Sequence, residues 1–225
     1  YFKRGGGLAA DHVTGFTVRD SLIRVHPSWV FSEGAPFEGG YPLNVYDGTN
    51  ILFDHLELWS LYMGEEYVSQ QMGMVSSLIY SQNITLRNSF IYGSRNSFGA
   101  SYSSNLLEEF NHNYFAGHFS GSGVPNFTIR NNVYAGRSND GGFFKNNCGM
   151  TPKGYGVFHN NLDLFNMGPV FYTYNPATCT ESAYNYVILR NNLVILDRSD
   201  RAFAYSDTAD IGIFDSDYNI NLFRT

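Results

Sequence analysis

An all-β fold, a right-handed parallel β-helix solenoid of about eight coils, is what the sequence predicts. Three observations lead there. One phrase (apolar, any residue, a polar pair, then apolar or aromatic) recurs with its second polar position at Ser21, His55, Ser89, Asn113, Asn132, Asn161, Asn192 and Asp217. The steps between copies run from 19 to 34 residues, too short for a strand plus a full crossover helix, and helical spacing is sustained nowhere. The 225 residues hold 23 Asn and 23 Gly, the two residue types that best tolerate left-handed backbone, as many short strands joined by bends require. A β-propeller fits less well, because a blade needs about 40–45 residues and four strands.

Each copy of the phrase predicts one short strand, stacked in parallel on its neighbour, with side chains alternating between faces. On that reading Ile84, Leu86, Asn88 and Phe90 share a face, as do Phe127, Ile129, Asn131 and Val133. The polar pair marks the bend that follows. Asn113, Asn132, Asn161 and Asn192 hold one place in consecutive copies and predict an internal amide ladder; ligand binding is the competing use of the same row. The connections 23–49 and 57–82 are long and rich in Gly and aromatics, including Trp59 and Tyr62, as functional or covering loops are. Cys148 follows Asn132 by 16 residues and Cys179 follows Asn161 by 18, so the two should face one another across adjacent coils. Backbones about 4.8 Å apart suit a disulfide, which implies an oxidising, extracellular setting; two buried thiols are the alternative.

No composition shift divides the chain, so residues 1–225 read as one domain, and the start at Tyr1 without an initiator Met marks a piece of something longer. A net charge of −6 without a basic stripe argues against nucleic acid, and no apolar run is long enough to span a membrane. Unpaired strand edges at the solenoid ends call for caps, or for other copies or domains stacked there. Asn83-Ile84-Thr85 and Asn126-Phe127-Thr128 are N-glycosylation sequons, consistent with a secreted or cell-surface protein.

Three segments carry a family resemblance. Asn50-Ile51-Leu52-Phe53-Asp54-His55-Leu56-Glu57-Leu58-Trp59 resembles the Asp-His strand of pectate lyases. Phe110-Asn111-His112-Asn113-Tyr114-Phe115-Ala116-Gly117 is similar to their His-Asn segment, and Phe127-Thr128-Ile129-Arg130-Asn131-Asn132-Val133-Tyr134 to the strand after it. The order matches over about residues 48–136. The resemblance implies a pectate lyase-like β-helix and, if activity came with it, Ca²⁺ and an Arg base. The segment where the family carries its acids reads Gln70-Gln71-Met72-Gly73-Met74-Val75-Ser76-Ser77 here. Where its two Arg stand, this chain has Ser120-Gly121-Ser122-Gly123-Val124-Pro125-Asn126.

The expected function is therefore an extracellular structural or adhesive module, glycan-associated and belonging to a larger surface or fibrous assembly, with no cofactor and no metal site. Trp59, Tyr62, Arg87 and Arg130 are its candidate carbohydrate contacts: aromatics for the apolar faces of sugars, and Arg in an outward slot (shared with Arg19 and Arg190) for acidic groups. The alternative is a lyase or glycoside hydrolase acting on acidic polysaccharide, with Ca²⁺ only in the lyase case. Its candidate catalytic residues are Asp54, His55, Glu108 and His112, with Glu65 and Glu66 as possible second carboxylates. On one strand, Glu108 and His112 would share a face.

Overall fold

The computed structural model describes residues 7–25, 42–60, 76–94, 99–116, 120–122, 124, 126–135, 142–145, 154–166, 171–174, 184–196, 204–206 and 214–223. All regular structure among them is strand, and all pairing is parallel. In chain order the strands are β1 (Leu8–Asp11) and β2 (Thr17–Val25); β3 (Leu43–Tyr46) and β4 (Thr49–Ser60); then β5 (Ser76–Ile79), β6 (Gln82–Arg87) and β7 (Phe90–Ser94). There follow β8 (Gly99–Ser101), β9 (Ser104–Glu109) and β10 (His112–Ala116), then β11 (Ser120–Ser122), β12 (Phe127–Arg130) and β13 (Val133–Ala135). Next come β14 (Gly142–Lys145), β15 (Gly154–His159) and β16 (Leu162–Asn166), and β17 (Phe171–Tyr174), β18 (Tyr184–Arg190) and β19 (Leu193–Leu196). The last are β20 (Ala204–Ser206), β21 (Phe214–Asp217) and β22 (Ile220–Phe223).

Six of the eight repeats thus supply three strands and the first two supply two, not the single strand expected, because the backbone turns a corner inside the repeated phrase. The first strands of the repeats stack as an eight-stranded sheet, β1-β3-β5-β8-β11-β14-β17-β20. The second strands stack as β4-β6-β9-β12-β15-β18-β21 and the third as β4-β7-β10-β13-β16-β19-β22. β2 and β4 run through the corner unbroken, so these two stacks join into one 14-stranded sheet. The fold is a parallel β-solenoid.

The corner has one cause. Asp20, His55, Asn88, Phe110, Asn131, Asn160, Asn191 and Tyr218 all have positive φ, between 52° and 57°. Asn, Asp and His are the L-residues that accept this conformation most readily, and they fill six of these places. A left-handed residue resets the alternation of faces. Ile84 and Leu86 point inward, Asn88 turns, and Phe90 is exposed; Asn131 likewise separates the buried Phe127 and Ile129 from Val133, which is only partly buried. The four-residue shared faces expected from alternation therefore stop at the bend.

Inward rows make the core. Along the second stack, Ile51, Ile84, Leu106, Phe127, Gly156 and Val187 are in register, as are Phe53, Leu86, Glu108, Ile129, Phe158 and Leu189. Along the third, Leu58, Ile91, Asn113, Tyr134, Asp163 and Val194 are aligned. All are buried. Stacking apolar side chains on their equivalents in the next layer removes both from water, the main favourable term in folding.

Candidate functional site

The amide ladder lies one residue beyond the left-handed position. The residue after a left-handed turn points its N–H inward, where only another side chain can meet it. Asn132 Oδ1 accepts the Asn111 N–H at 2.9 Å, Asn161 Oδ1 that of Asn132 at 3.0 Å, Asn192 Oδ1 that of Asn161 at 3.0 Å, and Asn219 Oδ1 that of Asn192 at 2.9 Å. Each Nδ2 returns a bond to a carbonyl, such as Asn161 to Ile129 O at 3.1 Å. Ser89 continues the row, its Oγ accepting the Leu56 N–H at 3.1 Å. Asn132, Asn161 and Asn192 hold the expected places, but Asn113 does not: the fourth rung is Asn111. The corner in that repeat is made by Phe110, so the apparent phrase is out of register by two residues. Asn113 instead sits in the buried row of the third stack, its Nδ2 donating to Val133 O at 3.4 Å.

The candidate catalytic residues fall on different surfaces. Asp54 faces outward and is held by Arg87 (Nη2–Oδ2 3.0 Å), the Asn88 amide (2.8 Å) and His55 (3.0 Å). The Arg87 hydrogen bond, aided by Asn88 and the charges of Arg87 and His55 against a partial desolvation, lowers its pKa to about 2. Glu108 points the opposite way, into the core, where the Tyr134 hydroxyl donates to Oε1 at 3.1 Å. Burial first, then the nearby carboxylates of Glu108 and Asp163, push the Tyr134 phenol well above its usual pKa. His112 is exposed on the third stack. The expectation that Glu108 and His112 share a face is overturned, because the left-handed Phe110 stands between them.

The outward Arg slot proves to be half of a charge row. In register along the second stack stand Arg19, Asp54, Arg87, Glu109, Arg130, His159, Arg190 and Asp217. Signs alternate over the first five. Arg87 pairs with Asp54 at 3.0 Å and Arg130 with Glu109 at 2.7 Å, while Arg190 pairs with Asp215. His159 lies between two Arg, and desolvation, then Arg130, lowers its pKa. The two candidate Arg contacts are thus committed to carboxylates of the chain itself.

Trp59 lies on the outer face of the third stack, aligned with Arg24 and Tyr92. The Arg24 guanidinium is 5.0 Å from the Trp59 ring centroid, Tyr92 is 4.5 Å away, and the indole N–H donates to Glu57 at 2.6 Å. Tyr62, Glu65, Glu66, Cys148 and Cys179 lie outside the described residues. Both sequon amides are engaged: Asn83 Nδ2 donates to Asn50 Oδ1 at 2.9 Å, and Asn126 Oδ1 accepts the Tyr155 N–H at 3.0 Å.

One surface escaped the sequence reading. Between the first and second stacks is another corner, with positive φ at His12, Asp47, Tyr80 and Tyr102 and again three residues later at Asn50, Asn83 and Asn105. Beneath it runs a serine ladder, with Gly48 N donating to Ser81 Oγ at 3.1 Å and Ser81 N to Ser103 Oγ at 2.9 Å. Above it, Tyr46, Tyr80 and Tyr102 form an exposed ring row with centroids 5.5 and 5.3 Å apart, and His12 packs on Tyr46 at 5.8 Å. The signal available in sequence was a Tyr or Asp followed by a small residue, then an Asn three residues on.

No helix among the described residues is long and apolar enough to cross a membrane, and no group of three His, Cys, Asp or Glu among them is arranged to hold a metal ion. The architecture defines a β-solenoid with laddered corners. No family model, curated protein or solved structure matches the chain.

Proposed function

We propose that this chain is a right-handed, pectate lyase-like β-helix of about eight coils, matching the eight strands of its first sheet, and that it serves as an extracellular structural or adhesive module contacting glycans. The observation that carries the reading is that Glu108 and His112 do not join the Asp54–His55 pair on one surface. One carboxylate faces solvent in an ion-paired network and the other lies in the core. A glycosidase needs two carboxylates converging on one bond, about 5–10 Å apart. What the solenoid offers instead is straight rows of side chains at fixed spacing, suited to an extended polymer.

The test is co-sedimentation with insoluble polysaccharides, while released reducing ends and unsaturated uronate products are followed. Retention on the polymer without product formation is expected. Product formation that disappears in Asp54→Asn would replace this reading with the lyase or hydrolase; failure to bind any polysaccharide would remove the glycan contact altogether.

A further inference from the structure

The exposed corner between the first and second stacks has the chemistry of a sugar-binding strip. Tyr46, Tyr80 and Tyr102 are 43%, 50% and 62% exposed, in a chain whose aromatics could have been buried. Tyr80 and Tyr102 hold φ of 53° and 51°, a conformation unfavourable for a bulky side chain and readily taken by Asn. At the other corner Asn fills four of the eight left-handed bends and the exposed aromatics Phe110 and Tyr218 fill two, so the backbone at such a bend does not itself require an aromatic ring.

Three residues beyond each of Asp47, Tyr80 and Tyr102 stand Asn50, Asn83 and Asn105, all exposed. They form a second row parallel to the rings, Asn83 Nδ2 bonding Asn50 Oδ1 and Asn105 Nδ2 bonding Asn83 Oδ1, both at 2.9 Å. The buried serine ladder fixes the backbone beneath both rows. Aromatic rings offer apolar contact and a hydroxyl; solvent-facing amides offer donors and acceptors to sugar hydroxyls. The ring spacing is close to the length of one pyranose in an extended chain. Acidic groups are present at the same corner in Asp11 and Asp47, so a uronate polymer would be repelled.

We propose that Tyr46, Tyr80 and Tyr102, with Asn50, Asn83 and Asn105, bind an extended, neutral, β-linked oligosaccharide along the solenoid axis. The proposal rests on the glycan-contacting reading and names its site and sugar class. All-equatorial pyranoses suit it, because both of their ring faces carry only C–H groups.

The experiment is titration of cellohexaose and of hexagalacturonate into the chain produced in a bacterium, so that Asn83 carries no glycan. Binding is read by isothermal calorimetry and by shifts of the Tyr ring resonances. Cellohexaose is expected to bind and hexagalacturonate to bind at least tenfold more weakly at low salt. The double variant Tyr80→Asn/Tyr102→Asn should fold, since Asn accepts the left-handed bend, and should lose cellohexaose binding at least tenfold. If that variant keeps its affinity the site is wrong, and if hexagalacturonate binds as well as cellohexaose the neutral sugar class is wrong, while in both cases the glycan-contacting reading stands. If the parent chain binds polysaccharide in co-sedimentation but not cellohexaose, the sugar class proposed for this strip is refuted; if it binds neither, both proposals fall.

Discussion

Replacing Asn161 by Ala tests the ladder directly. Asn161 Oδ1 is the acceptor for the Asn132 N–H, and its Nδ2 donates to Ile129 O and to Asn192 Oδ1. Asn132 and Asn161 are both buried, so water cannot take over these bonds without opening the corner. Two backbone groups lose a partner, each costing about 1–3 kcal/mol, so the expected loss is about 2–6 kcal/mol. At about 2–4 °C per kcal/mol for a chain of this size, the thermal midpoint should fall by roughly 4–24 °C. Ser provides the discriminating variant. At the equivalent rung Ser89 Oγ already accepts the Leu56 N–H and donates to Arg87 O. Asn161→Ser should therefore recover about half of the loss. Thermal and urea unfolding followed by circular dichroism measure both. An Ala variant as stable as the parent, or a Ser variant no better than Ala, would show that the acceptor at this rung is not what holds the corner.

Two other outcomes follow from the same geometry. The Asp54 carboxyl, lowered from 3.8 to about 2 mainly by Arg87, contributes stability that is complete above pH 3.8 and is lost as pH falls toward 2; Arg87→Gln should return its titration midpoint, read by carbon NMR of the carboxyl, toward 3.8 and move acid unfolding to higher pH. An unchanged midpoint would mean that the ion pair is not made in solution. A Cβ added at Gly156 would stand 2.3 Å from Cζ of the Phe127 ring, so Gly156→Ala should cost about 1–3 kcal/mol, seen as a lower urea midpoint at constant slope, and Phe127→Leu should relieve it. A parent-like urea midpoint for the single variant would contradict the packing of those two layers.

The repeat, the all-β class and most of the amide row were legible because they depend on local chemistry. A left-handed bend selects Asn, a buried N–H next to it selects a short acceptor, and both constraints recur at every corner as the Asn pairs at 131–132, 160–161 and 191–192. Where the bend residue is not Asn the pattern misleads. Phe110 at the corner made Asn113 look like a rung and hid Asn111, and it placed Glu108 and His112 on a common face that does not exist.

What only the tertiary structure decided is which side chains meet across layers. Partners in this solenoid lie 20 to 36 residues apart and the step changes from repeat to repeat, so no fixed offset identifies them. That is why Arg87 and Arg130 read as free cations until Asp54 and Glu109 were found stacked beside them. It is also why the ring row of Tyr46, Tyr80 and Tyr102 was invisible. The sequence by itself determined how the Asn-marked corners turn, because that is a property of one or two residues. Which surface the corners present is set by the register between layers, which exists only once the coils are stacked.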